Sequence, residues 1–256
     1  MAKKDFFFNF KNYVVLLTGS SGQLGNKISQ TFLKRGAKVY GIDTVKKNFT
    51  KNRKFFFKQG DITDPMFTRK VISDIIKKER KISVIINNAS YQVLSDLEGE
   101  DKFKNLKFLD TNLIAPINII KNYVLFHKKN ANKFCSIINI GSIYGSVSPD
   151  FSIYKTNDRF SPEIYGASKA AIIQITKYFS VLLAKKKITV NSISPGGILN
   201  KRKQKKDFIK RYKSRVPMGR MANIEDIITA VLMFASDKTK YTTGQNLIID
   251  GGLTSK

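Results

Sequence analysis

The sequence predicts a doubly wound α/β fold: a parallel seven-stranded sheet with helices on both faces, in one domain over residues 1–256. Three observations predict it. Short runs rich in Ile and Val alternate with longer helical stretches, the pattern of strands covered on both faces. A glycine-rich turn joins the first run to the first helix. No internal repeat or Pro/Ser-rich linker divides the chain.

The elements follow in order. Val14–Thr18 reads as a buried strand, and a helix follows from about Gly25 to Arg35, ended by Gly36. Lys38–Asp43 and Phe55–Gln59 are the second and third strands. Asp64 caps and Pro65 opens a helix running to Arg80. Val84–Asn87 is the fourth strand, a long helix spans Asp110 to His127, and Phe134–Ile140 is the fifth strand. Tyr165 to Ala184 is helical, and Thr189–Ser194 is the sixth strand. Asn223–Ala235 is a helix capped at Asn223, with Asp226 three positions on. Asn246–Asp250 closes the sheet before Gly251-Gly252.

Composition narrows the function classes. Hydrophobic residues make up 42% and charged residues 25%, ordinary globular usage. No apolar run is long enough for a membrane-spanning helix. Met1 to Phe10 does not read as a secretory leader, so the expected setting is cytoplasmic. One cysteine, Cys135, excludes an intramolecular disulfide, and with one histidine, His127, no metal site is expected. Cys135 reads as a small buried hydrophobe, and His127 as a partly exposed residue near a helix C-terminus. Phe6–Phe8 and Phe55–Phe57 read as packing.

The net charge is +27. Such a balance can mark a nucleic-acid partner. Arginine, the residue favoured for phosphate and base contacts, supplies only 9 of the 46 basic side chains. Lysine, isoleucine, asparagine and phenylalanine are abundant together, and all have A/T-rich codons. The charge therefore reads as a solvated surface, with neither a specific nucleic-acid nor a membrane partner.

Chemistry begins at Thr18-Gly19-Ser20-Ser21-Gly22-Gln23-Leu24-Gly25. Gly19 permits the tight turn, Gly22 lets backbone approach a pyrophosphate, and Gly25 allows close helix–strand packing. The helix N-terminus offers free N–H groups to the phosphates. Asp43, 18 residues beyond Gly25, ends the second strand, where a carboxylate accepts ribose hydroxyls and repels a 2′-phosphate. NAD is thus favoured over NADP, although Lys46 and Lys47 follow closely. This is a Rossmann arrangement.

Tyr165 and Lys169 stand four apart, on one helical face. An ammonium beside a phenol favours the phenolate and tunes tyrosine toward acid–base work. Ser142 and Asn87-Asn88-Ala89-Ser90 end the fifth and fourth strands at the carboxyl edge, where such sheets bind ligands.

Together these pieces resemble the short-chain dehydrogenase/reductase family over nearly the whole length. The matching segments are Thr18–Gly25, Asp61-Ile62, Asn87–Ser90, Asn112, Ser142, Tyr165–Lys169, Asn191–Gly197 and Thr242–Gly252. The resemblance implies an oxidoreductase in which Tyr165 is the general acid/base and Lys169 assists it and binds the nicotinamide ribose. Ser142 would hold the substrate oxygen, and Asn112 would support a proton-relaying water. Ser21, Gln23 and Leu24 join the glycines as implied cofactor contacts. Asp61 and Ile62 match the family's adenine contact, Asn88 and Ala89 its cofactor-facing turn, and Pro195-Gly196-Gly197-Ile198 the segment near the nicotinamide. A homotetramer or homodimer is also implied. The glycine spacing is that of the family's longer branch, Ser90 stands where Gly is usual, and no threonine follows Pro195-Gly196 at the usual distance.

Twenty-two residues separate Ser142 from Tyr165, more than compact members usually show. The gap is polar and includes Tyr154 and Arg159, candidate substrate contacts that point to a sugar-like or charged substrate. The basic run Lys201–Lys206 continues as an amphipathic helix through Phe208, Ile209, Tyr212 and Val216. In the family this region is a lid. The segments Ser142–Tyr154, Ser161–Glu163 and Ser194–Gly197 are similar to flagellin-modification protein A oxidoreductases, which implies a sugar or sugar phosphate of surface-glycan or nonulosonic-acid biosynthesis. The alternatives are a 3-oxoacyl carrier-protein reductase and, in another class, a Rossmann-type nucleic-acid-binding protein, whose affinity would fall steeply with salt.

Overall fold

The computed structural model describes residues 8–46, 52–94, 102–127, 133–154 and 160–255. Arg159 and Lys47, together with Phe6 and Phe7, lie outside the described residues. The strands are β1 (Val14–Thr18), β2 (Lys38–Asp43), β3 (Phe55–Gln59), β4 (Val84–Asn87), β5 (Cys135–Ile140), β6 (Ile188–Pro195) and β7 (Asn246–Ile249). They form one parallel sheet in the order β3-β2-β1-β4-β5-β6-β7. Every residue of β1, β4 and β6 is buried, which is why they read as continuous Ile/Val runs.

The helices are α1 (Gln23–Lys34), α2 (Pro65–Glu79), α3 (Lys102–Leu109), α4 (Ala115–His127), α5 (Glu163–Leu183), α6 (Lys206–Arg215) and α7 (Ile224–Ala235). Ile72 of α2, Ile119 of α4 and Phe179 of α5 cover one face with Leu16, Ile85 and Ile137. Phe32 of α1 and Ile227 of α7 cover the other with Val15, Ile86 and Ile138. Each such side chain contributes about 1.5–3 kcal/mol on burial. The sheet thus has the predicted layers.

Local signals set the helix ends. The Asp64 carboxylate accepts from the N–H groups of Met66 (2.8 Å) and Phe67 (3.1 Å) at the start of α2. The Asp226 carboxylate accepts from the Asn223 N–H at 2.8 Å. Two expectations need correction. The helix read from Asp110 begins earlier, at α3, and passes through a π turn at Asp110–Ile114 before α4. His127 is buried, not partly exposed: its Nδ1 lies 3.0 Å from the Tyr123 hydroxyl and its Nε2 lies 3.1 Å from the Lys186 carbonyl. The imidazole can bridge a helix end to the turn before β6, and burial holds its pKa below the ordinary value. Cys135 is buried, as expected. Among the described residues no helix is long and apolar enough to cross a membrane.

Candidate active site

Strand β1 pairs with β2 on one side and β4 on the other, so the winding reverses there and a crevice opens beyond the carboxyl ends. The glycine turn fills its floor. Gly19 has φ +65°, and a Cβ there would lie 2.8 Å from Ala89 Cα. A Cβ at Gly25 would collide with the Gly19 carbonyl oxygen. Thr18 Oγ1 accepts from the N–H groups of Asn88 and Ala89, each at 3.0 Å. Asn88 Nδ2 donates to the carbonyls of Thr18 and Gly19, also at 3.0 Å. The β4 turn therefore fixes the glycine turn from behind.

The start of α1 fits a pyrophosphate. Its cap is Gly22, no side chain caps it, and no acid sits in its first turn. Free N–H groups and the positive dipole end are left for an anion. Asp43 is held by its own neighbours: Oδ2 accepts from Ser21 N–H at 2.9 Å and Oδ1 from Val45 N–H at 3.2 Å. Ser21 Oγ donates to the Val45 carbonyl at 2.6 Å, so Ser21 also ties the glycine turn to the end of β2. Asp61 Oδ1 accepts from Thr63 N–H and Oγ1, both at 2.9 Å, while Ile62 belongs to the core. Gln23 reaches outward. Its Nε2 donates to the Leu199 carbonyl at 3.0 Å, and its Oε1 accepts from Asn200 Nδ2 at 2.8 Å. It straps the glycine turn to the segment after β6.

Beside this groove, β5 delivers Ser142 and α5 delivers Tyr165 and Lys169. Ser142 Oγ accepts from Tyr144 N–H at 3.2 Å, fixing the turn Ile143–Gly145. Gly145 is required because a Cβ there would lie 2.7 Å from the Lys169 backbone. Lys169 Nζ donates to the Ile140 carbonyl at 3.0 Å and stands 5.6 Å from the centre of the Tyr165 ring. Burial lowers the Lys169 pKa to about 8. Burial also raises the Tyr165 pKa, with the Ser142 hydroxyl acting the other way. The expected lowering by lysine is therefore not seen: burial is the dominant influence on the phenol, and the opposing one comes from Ser142.

Asn112 sits in the π turn and is buried. Its Nδ2 donates to the Tyr91 carbonyl (3.0 Å) and Ser168 Oγ (3.2 Å), and its Oδ1 accepts from Tyr91 N–H (2.8 Å). The side chain binds the segment after β4 to α5.

A cavity of about 790 Å³ opens over these groups. Leu24, Asn88, Ser142, Tyr154, Tyr165 and Lys169 line it, as do Pro195, Gly196, Gly197 and Ile198. Gly19, Asp43, Asp61, Ile62, Ala89 and Asn112 do not. Residues 150–153 of the insertion are docked on α6: Arg211 Nε donates to the Ile153 carbonyl at 2.7 Å, and Arg215 pairs with Asp150 at 3.1 Å. Sequence reasoning missed Gln92, Ser161 and Tyr212 on the cavity wall. Among the described residues, Ser161 Oγ is buried without a hydrogen-bond partner. The Tyr212 hydroxyl accepts from Gly197 N–H at 2.6 Å. The aromatic spacing of α6 hinted at Tyr212 and the segment Ser161–Glu163 at Ser161, while nothing local marked Gln92.

Comparison with known proteins agrees with this geometry. Residues 20–254 match the family model adh_short_C2, described as enoyl-(acyl carrier protein) reductase. The chain is 30% identical over 250 residues to an uncharacterized oxidoreductase of Schizosaccharomyces pombe, covering 94% of this chain and 90% of that one. It is 30% identical over 253 residues to a 3-oxoacyl-acyl-carrier-protein reductase of Thermotoga maritima, covering 94% and 97%. A crystal structure of a short-chain dehydrogenase from Leptospira borgpetersenii with bound NAD+ superposes with a TM-score of 0.91 at 34% identity, covering 99% of this chain and 97% of that one. By these matches the chain belongs to the short-chain dehydrogenase/reductase family and is an oxidoreductase of CH–OH and ketone groups.

Proposed function

We propose that the protein, a single domain over residues 1–256, transfers hydride between NAD and a secondary alcohol or ketone of a sugar or sugar phosphate. The observation that carries this reading is the placement of Ser142, Tyr165 and Lys169 on a cavity whose wall also offers Gln92, Tyr154 and the Ser161 hydroxyl, which has no partner among the described residues. A nicotinamide held there would supply the hydride chemistry. Ser142 Oγ orients the substrate oxygen and is the group that favours the phenolate, Tyr165 Oη gives or takes the proton, and Lys169 assists and would hold the nicotinamide ribose. Ser21, Gly22, Gln23, Leu24 and Gly25 would face the pyrophosphate, Asp43 the adenosine ribose, and Asp61 and Ile62 the adenine. Asn88, Ala89 and Pro195 to Ile198 would border the nicotinamide half. The resemblance to flagellin-modification protein A oxidoreductases supports a role in surface-glycan or nonulosonic-acid biosynthesis, in a cytoplasmic setting.

The test is titration of the protein into NADH and into NADPH, read by cofactor fluorescence; the chain has no tryptophan to interfere. NADH is expected to bind at least about tenfold more tightly, with Asp43→Ala narrowing the gap, because a 2′-phosphate set against the half-buried Asp43 carboxylate is a like-charge encounter that costs about a factor of ten or more. Tighter NADPH binding would overturn the assignment of Asp43.

The 30% identity to a 3-oxoacyl-acyl-carrier-protein reductase favours a second reading, reduction of a 3-oxoacyl thioester. Turnover of such a thioester with no sugar turnover would establish it. A homotetramer, or a homodimer, is supported by the exposed apolar side chains of Tyr178, Val181 and Leu182 on α5 and Leu125 on α4, with Ile248 on the β7 edge. Light scattering is expected to give a multiple of 29.0 kDa, and a monomer would refute the assembly.

A further inference from the structure

Gln23 is exposed, yet both ends of its side-chain amide are engaged, and by a distant part of the chain. In the sheet order, β4 and β5 separate β1, which leads into Gln23, from β6, which leads into Leu199 and Asn200. Residues 198–204 must therefore fold back across the carboxyl edges of β4 and β5 to meet the start of α1. Their own bonds steer them there. Leu199 N–H donates to the Ala222 carbonyl at 2.9 Å. The N–H groups of Lys203 and Gln204 donate to the Asn200 carbonyl at 3.0 and 2.9 Å. Gln204 Oε1 accepts from Asn200 N–H at 2.7 Å, and its Nε2 donates to the Ile198 carbonyl at 3.0 Å. The segment is thus a small folded unit. It presents the Leu199 carbonyl and Asn200 Nδ2 to the two ends of the Gln23 amide, at 3.0 and 2.8 Å. Among the described residues, no other hydrogen bond joins residues 19–25 to this unit. Leu24 on one bank and Ile198 and Gln204 on the other line the same cavity, with Asn88 and Ser142 between them.

We propose that Gln23 and residues 198–204 form a clasp over the dinucleotide groove, and that NAD enters and leaves only while this clasp is open. The inference rests on the reading of this groove as the dinucleotide site. A dinucleotide with its pyrophosphate at the first turn of α1 and its nicotinamide beside Ser142 would span the floor between the two banks, so the clasp crosses its path. Both clasp bonds are made between protein groups, and a bound dinucleotide neither makes nor replaces them. A contact of this kind sets rates and not affinity: loosening it speeds entry and exit alike. Two solvent-exposed hydrogen bonds suit the role, since each adds a modest bias that thermal motion overcomes.

The test is stopped-flow mixing of the protein with NADH, then displacement of bound NADH by excess NAD+, both read by cofactor fluorescence. Gln23→Ala is expected to raise the association and dissociation rate constants together, each at least about fivefold, with Kd within about twofold of wild type. Asn200→Ala removes one of the two bonds and should raise both rates by less. The double variant should match Gln23→Ala alone, because the two changes break the same contact. Unchanged rates in Gln23→Ala would overturn the clasp. So would a weaker Kd with an unchanged association rate, which would make Gln23 a cofactor contact. Effects that multiply in the double variant would overturn it too, since the residues would then act separately. If NADH does not bind the wild type, the dinucleotide reading falls and the clasp with it; if NADH binds and these rates do not move, the clasp alone fails.

Discussion

Replacing Tyr165 by Phe is expected to lower kcat by about 10²–10⁴-fold, the range for a lost general acid/base. NADH affinity should stay within about twofold, since the change removes one hydroxyl and no packing. The ring is buried, with only 8% exposed, and meets Phe108 edge-on at 6.4 Å, contacts that phenylalanine keeps. The Lys169 ammonium keeps its bond to the Ile140 carbonyl at 3.0 Å, so its position does not depend on the phenol. Steady-state turnover beside NADH titration separates the two effects. Turnover retained at wild-type level would remove Tyr165 from the chemistry.

The next largest effect is expected at Gly25. Alanine there drives its Cβ into the Gly19 carbonyl oxygen, and into Gly19 C at 2.9 Å and Asn88 Nδ2 at 3.0 Å. These neighbours are backbone and a side chain already bonded to that backbone, so they have little room to yield. The turn must open, and the N–H groups at the start of α1 leave their common focus. We expect NADH affinity to fall at least about tenfold and stability to fall by about 1–3 kcal/mol, as for overpacking. NADH titration and thermal unfolding read the two quantities. Wild-type affinity in Gly25→Ala would show that the turn does not hold the cofactor.

The sheet was legible because β1, β4, β5 and β6 are nearly all buried and so spell themselves in Ile and Val. The catalytic side chains were legible because Tyr165 and Lys169 must share a helical face and Ser142 must follow a strand. The start at α3 was not. Lys102, Lys104 and Lys107 interrupt its apolar residues, and only Phe108 of this helix is buried. The π turn has no local signature, since Asn112 is held by Tyr91 and Ser168, partners far apart in the chain. His127 was misread for the same reason: its partner at Lys186 is 59 residues away. The side-chain anchors of the cavity wall are likewise non-local, as with Arg211 on Ile153.

Cys135, the single cysteine, opens β5, the strand that ends just before Ser142. It is fully buried, and burial pushes its thiol up to about 12, against a smaller opposing effect of Tyr123. Thiolate is the attacking species in sulfur chemistry, so at neutral pH this sulfur is both protonated and out of reach. Its side chain projects from the sheet face into the layer of α4 and α5, packed with Tyr123, Phe179 and Leu183. A reagent gains access when those helices lift from the sheet, and α5 is the helix that carries Tyr165 and Lys169. Modification at Cys135 is therefore expected to report loosening of the helix layer that holds two of the catalytic side chains.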